Sequence, residues 1–479
     1  MSTYETIIGL EVHAQVNTLS KLFCGCKTGF GAPPNSQICP VCMGLPGVLP
    51  VLNAKAVACL VKTGLALGAT ISSFSKFDRK NYFYPDLPKD YQVSQYDMPL
   101  SQGGIITIET EGKKKNIGLT RIHLEEDAGK LMHAEDGRPV SWVDFNRTGV
   151  PLMEMVSEPD MRNPEEAFEY LRALKQILLY LEVSDCNMEE GSLRCDANVS
   201  IRPVGQQKFG TKVEIKNLNS FSNVRKALTY EIARQTQAVE SGETIVQETR
   251  LWDAARDQTA TMRSKESAHD YRYFPEPDLV PMVLSPEYLK NIREMLPEMP
   301  AAKHARFMSH YQLPSYDAGV LTAQRDLADY FEACVKLWND PKTISNWIMT
   351  ELLRHLNETG KGIAKSPISP QNLAEMLKLI KDGVISGKIA KDLFQRMLDT
   401  GKSPDVIVKE EGLVQITDES GIIGAVLEAL RESAGVVADF KSGKENAIGF
   451  LVGAVMKKTK GKANPQVVNK LLRQEIGKG

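Results

Sequence analysis

The chain has 479 residues, 42% hydrophobic and 25% charged, with a formal net charge of −2. That length calls for two to four domains rather than one core, and the near-neutral balance excludes wholesale coating of nucleic acid while allowing a local basic patch. With no apolar run long enough to span a bilayer and no signal-peptide pattern at the N-terminus, a cytoplasmic protein without membrane association is expected.

The first predicted element is the strand "ETIIGLEVHAQV" (5–16). Side chains alternate across a strand. Ile8, Leu10, Val12, Ala14 and Val16 therefore share a core-compatible face, and Gly9, Glu11, His13 and Gln15 share the other. Next comes "CGCKTGFGAPPNSQICPVC", with Cys24 and Cys26 ahead of Cys39 and Cys42. Two close cysteine pairs around a short loop match a tetrahedral, closed and hence structural zinc site in a loop spanning 20–45. Iron–sulfur ligation and four unrelated cysteines are the alternatives. Cys59, Cys186, Cys195 and Cys334 are scattered and read as core residues.

Four further segments repeat the two-faced pattern. "RIHLEEDAGK" offers Arg121, His123 and Glu125 on one face, with Glu126 and Asp127 following; "VDFNRTGVPLMEM" offers Asp144, Asn146, Arg147 and Glu154. "RCDANVSIRP" sets Arg194, Asp196, Asn198, Ser200 and Arg202 opposite Ala197, Val199 and Ile201. "TKVEIKN" sets Lys212, Glu214 and Lys216 opposite Val213 and Ile215. Several carboxylates on one sheet face repel one another unless a cation neutralises them. Mg²⁺ would do so through oxygen ligands and substrate phosphates, with Arg and Lys on the phosphates. A nucleotide-and-metal site on an antiparallel sheet is one reading; a merely polar surface is the other. There is no P-loop, dinucleotide fingerprint or nucleophile elbow.

Helices are expected over Asn163 (cap), Pro164 and Glu166 to Leu181, and from near Val224 to Glu240. From about 295 to 400 the pattern turns helical, as in "SPQNLAEMLKLIKDG", capped by Ser369 and closed by Gly383. "DTGKSPD" near 400 reads as a linker. In the helical end that follows, Lys441, Lys444, Lys457, Lys458, Lys460, Lys462, Lys470 and Arg473 face only Glu445 and Glu475.

These stretches together resemble a known family. "KFDRKNYFYPDLPKDYQVSQYD" (76–97), "HLEEDAGK" (123–130), "VDFNRTGVPLMEMVSEP" (143–159), "EEGSLRCDANVSIRP" (189–203), "GTKVEIKNLNSF" (210–221), "DYRYFPEPDL" (270–279) and "GFLVGAVMKKTKGKANP" (449–465) are similar, in order, to the B subunits of bacterial aspartyl/glutamyl-tRNA amidotransferases. The resemblance implies an α+β chain: a glutamine-synthetase-like antiparallel-sheet cradle over 1–293, a helical domain over 294–403 and a tRNA-binding tail over 404–479. It implies a glutamine-dependent carbon–nitrogen ligase. ATP and Mg²⁺ phosphorylate the side-chain carboxylate of Glu-tRNA(Gln) or Asp-tRNA(Asn). Ammonia from the amidase or A subunit then displaces phosphate, and a small C subunit completes a heterotrimer. Some members lack the cysteines, so the structural Zn²⁺ is not expected to serve catalysis itself.

Carried over by motif, the resemblance implies Glu11, His13, Glu126, Asp196 and Glu214 as magnesium ligands, with Glu154 and Glu125 close by. Alternation favours Glu125 beside His123; the resemblance favours Glu126. Lys80, Arg147, Arg194, Lys212 and Lys216 are candidates for ATP phosphate or tRNA-end contacts, each equally suited to a structural ion pair. In the tail Lys457, Lys458, Lys460, Lys462 and Asn464 would touch tRNA phosphates. Two other readings compete. A non-catalytic zinc-containing RNA-binding protein fits the cysteines and the basic tail, but leaves the carboxylates unexplained; a free-standing ligase would use free ammonia.

Overall fold

The computed structural model describes residues 3–133, 138–264, 271–413, 418–459 and 462–478. The chain divides into two compact units, Met1–Pro300 and Ala301–Gly479.

The first unit is built on a ten-stranded sheet: β1 (Tyr4–Gln15), β2 (Thr70–Ile71), β3 (Ser101–Gln102), β4 (Ile105–Thr110), β5 (Lys113–Glu126), β6 (Pro151–Ser157), β7 (Leu193–Pro203), β8 (Val213–Lys216), β9 (Glu248–Asp253) and β10 (Gln258–Ser264). The order is β10-β9-β8-β7-β1-β6-β5-β3-β2, with β4 paired to β5. The opening strand thus lies inside the sheet, between β6 and β7. Its apolar side chains are buried, and Ile8, Leu10, Val12 and Ala14 are at most 1% exposed. Leu10→Ala would cost about 2–5 kcal/mol.

Four helices take part in this core: α1 (Ala54–Ala66), α2 (Pro164–Tyr180), α3 (Phe221–Glu240) and α4 (Pro286–Glu294). Asn163 caps α2 by accepting from Glu166 N, and Pro164 opens it, as the sequence predicts. The reciprocal bond is displaced by one residue, because Glu166 accepts from Arg162 N rather than from the cap itself. Ser220 caps α3, whose first residue Phe221 stands three residues ahead of Val224, where the apolar pattern alone suggests the start.

The sheet is mixed, not purely antiparallel, since β8 and β9 run parallel. The intervening α3 supplies the crossover that parallel neighbours require.

The second unit is helical and holds two apolar cores. One gathers residues from Phe307 to Val408, the other from Ile422 to Ile476. Ser369 caps its helix and Gly383 follows the end with φ +71°. "DTGKSPD" is a tight turn, not a linker. Gly401 ends one helix with φ +68° and Pro404 begins the next, whose Ile407 and Val408 join the first core. No helix among the described residues is long and apolar enough to cross a membrane.

Candidate metal centre on the polar sheet face

The strand register assembles the site. His13 lies opposite Glu154 on β6 and Arg194 on β7, while Glu154 lies opposite His123 on β5. Glu11 lies opposite Asp196. His13 Nε2 is 3.4 Å from Glu11, 3.3 Å from Glu154 and 3.9 Å from Glu125. His123 Nε2 is 3.6 Å from Glu154 and 3.7 Å from Glu125. Two triads result, Glu11–His13–Glu154 and His123–Glu125–Glu154, each with its donor atoms within 4.8 Å of one another. They share Glu154.

The electrostatics are those of crowded acids, Glu125 and Glu154 buried and Glu11 half-buried. Burial raises the Glu11 carboxyl, helped by repulsion from Glu154 and offset in part by His13. Burial opposes charge on His13, but its hydrogen bond to Glu154 and the charges of Glu154, Glu125 and Glu11 outweigh it, lifting the imidazole to about 9. Burial also opposes ionised Glu154, and the charge of His123 and the His13 bond overcome it, holding the carboxyl low. His123 Nδ1 is buried without a partner. These oxygen-rich clusters fit a hard divalent cation, and His13 would join as a donor on giving up its proton to the incoming charge.

Other candidates gather around this face. Lys216 Nζ lies 2.6 Å from Asp196 and 3.4 Å from Glu214; burial opposes its charge, and Asp196 and Glu214 outweigh that and raise its pKa. Glu214 also accepts from Thr249 Oγ1 at 2.7 Å. Lys80 Nζ lies over Tyr271 and Tyr82, 5.1 and 5.7 Å from the ring centroids. Burial opposes its charge, but the charges of Glu125, Tyr82 and Glu154 outweigh that and raise its pKa. Lys212 is exposed, just ahead of β8.

Three candidates stand elsewhere. Glu126 pairs with Lys89 at 2.5 Å and accepts from Val93 N, while its neighbour Glu125 enters the triad. Regular alternation persists to the end of β5, so alternation rather than the family motif indicates the carboxylate that faces His123. Arg147 donates to Ala128 O and Gly129 O, bracing the turn after β5. Arg194 is opposite His13 in register, yet its guanidinium bonds Asp127 at 2.8 Å.

The cysteine quartet forms as predicted: the sulfurs of Cys24, Cys26, Cys39 and Cys42 all lie within 4.8 Å of one another, and none is in a disulfide. Tetrahedral Zn–S bonds place sulfurs about 3.8 Å apart, so the quartet fits zinc. Asp144 and Asn146, read from the sequence as polar-face residues, instead hold this loop by accepting from Asn35 N and Gln37 N.

The tail is less basic than its lysine count suggests. Lys458 pairs with Glu428 and Glu432, Lys470 with Glu419, Arg473 with Glu445 and Lys444 with Asp439. Four of these acids, Glu419, Glu428, Glu432 and Asp439, precede Lys441, the first of the basic residues named above. Lys462 donates to Gly412 O, Asn464 accepts from Gln466 N, and Lys457 is exposed. Lys460 lies outside the described residues.

Comparisons with known proteins agree along the chain. Residues 6–290 match a family described as the GatB/GatE catalytic domain, and residues 329–476 match one described as the GatB domain. Among curated relatives, the B subunit of the aspartyl/glutamyl-tRNA(Asn/Gln) amidotransferase of Caldanaerobacter subterraneus is 60% identical over 99% of this chain and 100% of its own. The proteins of the same name from Carboxydothermus hydrogenoformans and Brevibacillus brevis are each 57% identical, over 100% and 99% of this chain and 100% and 99% of their own.

Proposed function

Because this chain belongs to the B-subunit family of the aspartyl/glutamyl-tRNA(Asn/Gln) amidotransferases, we propose that its polar sheet face carries the ATP-dependent step of glutamine-dependent amidation. A carboxylate cannot expel oxide. The side-chain carboxylate of a misacylated Glu-tRNA(Gln) or Asp-tRNA(Asn) attacks the γ-phosphate of ATP, giving an acyl phosphate and ADP. Ammonia released from glutamine by a partner amidase then displaces phosphate and forms the amide. Phosphoryl transfer rests mainly on positioning and charge neutralisation.

The single observation that carries this reading is the pair of triads sharing Glu154. Glu11, His13, Glu125, Glu154 and His123 would hold magnesium, which when bound offsets phosphate charge. Asp196 and Glu214 fix Lys216 at the margin of the same face, and Lys80 supplies a second cation beside Glu125. Arg147 and Arg194 shape the turn beside the site through Asp127.

The rest of the proposal is organisational. A glutamine-synthetase-like cradle would occupy the first unit, a helical domain the core that runs from Phe307 to Val408, and a tRNA-binding tail the core that runs from Ile422 to Ile476. The assembly would be a cytoplasmic heterotrimer with the amidase and the small third chain, and the cysteine quartet would hold structural zinc.

The test is ATP cleavage by the purified multisubunit assembly. It should require Mg²⁺ and a misacylated tRNA, and adding Glu-tRNA(Gln) and Asp-tRNA(Asn) separately identifies the substrate. Cleavage indifferent to aminoacylation would refute the proposal.

A further inference from the structure

Lys21 is only 1% exposed and lies beside the cysteine quartet. Its Nζ donates to Cys42 Sγ at 3.6 Å and to Phe145 O at 3.4 Å. Among the described residues it has no carboxylate in an ion pair, unlike Lys89, whose partner is Glu126. A buried ammonium needs a compensating negative charge. The Phe145 carbonyl and a neutral Cys42 thiol would not provide one.

Four thiolates around a divalent ion do provide it, because they leave two net negative charges on the cluster. We propose that Lys21 is the built-in counter-ion of a tetrathiolate metal site, holding the Cys42 sulfur as a thiolate ligand by a charge-assisted N–H···S bond. This inference rests on the zinc reading above and adds a residue to it. Lys21 also joins the site to the sheet. Phe145 and Gly149 lie in the turn leading into β6, the strand that carries Glu154, and Leu22 N donates to Gly149 O at 2.8 Å. Gly149 has φ +79°, and a Cβ there would touch both the Cys42 Cβ and the Lys21 Cδ at 3.6 Å. The lysine stem is therefore enclosed between the cysteine loop and that turn.

The experiment uses the full chain, first measuring zinc per molecule and then following its transfer to a colorimetric chelator. Lys21→Met keeps the unbranched stem to its fourth atom and removes the ammonium; Lys21→Gln keeps a donor without charge. Partners that orient and tune metal ligands are typically worth about ten- to a hundredfold in metal affinity. Both variants should release zinc at least about tenfold faster than the parent.

Equal release rates from a parent that holds zinc would overturn the counter-ion role and leave the zinc reading standing. A parent without metal would overturn the zinc reading itself. If neither variant folds, amine acylation of the parent decides. Lys21 should resist the reagent while zinc is bound and react after chelation; rapid reaction in the loaded protein contradicts the inference.

Discussion

Glu125 and Glu126 are adjacent, both almost fully buried, and face opposite sides of one strand. Glu125→Gln should abolish Mg²⁺-dependent phosphorylation with little change in melting temperature. Glu126→Gln should do the reverse, leaving Lys89 without its charged partner at a cost of about 1–3 kcal/mol while folded molecules still phosphorylate. Melting curves and ATP cleavage on the same samples separate the two, and a folded but inactive Glu126→Gln would return that residue to the site. Asp127 has a different role. Burial would raise its carboxyl, but Arg194, Arg147 and the Gln15 bond outweigh it and hold it below 3.8. A depressed carboxyl stabilises the fold above its unfolded value, and that stability is lost as pH falls through the folded value. Asp127→Asn should therefore cost about 1.5–3 kcal/mol at neutral pH and flatten the acid limb. Urea titrations from pH 7 to about 3 measure both; parallel acid limbs would contradict the assignment.

At the scale of elements, legibility tracked how local the determining physics was. Asn163, Ser369 and the alternation of β1 act within a few residues, and each was readable from the sequence. The cysteine quartet was readable because its spacing encodes its chemistry. Alternation sets His123 on the polar face of its strand, but its place beside Glu154 depends on the pairing of β5 with β6, two distant segments. The tail misled for the same reason: its lysines pair with acids on an earlier helix, at Glu419, Glu428 and Glu432. Lys457 is exposed, and it is therefore the sharper probe of tRNA binding. Lys457→Glu should weaken tRNA affinity and lower the salt slope by about 1, whereas Lys458→Ala should alter affinity less because that ammonium is already engaged. Filter binding across a salt series checks this, and an unchanged slope for Lys457→Glu would remove it from the interface.

Across the whole molecule, three acids from three different strands, Glu11, Glu125 and Glu154, meet where a cation would join them, on the sheet face opposite the apolar one. Glu11 separates chemistry from folding. It lies on the face opposite the core, and burial with Glu154 repulsion already disfavours its charge. Glu11→Gln should then leave melting within a few degrees of the parent, or raise it slightly without Mg²⁺, since no cavity forms. A cation displaced by about 1 Å costs on the order of a hundredfold in rate. The decisive measurement is acyl-phosphate formation on misacylated tRNA by the full assembly carrying Glu11→Gln, beside the parent. A roughly hundredfold fall at unchanged stability is the predicted result; phosphorylation at the parent's rate and with its Mg²⁺ dependence would make Glu11 an ordinary solvated strand residue.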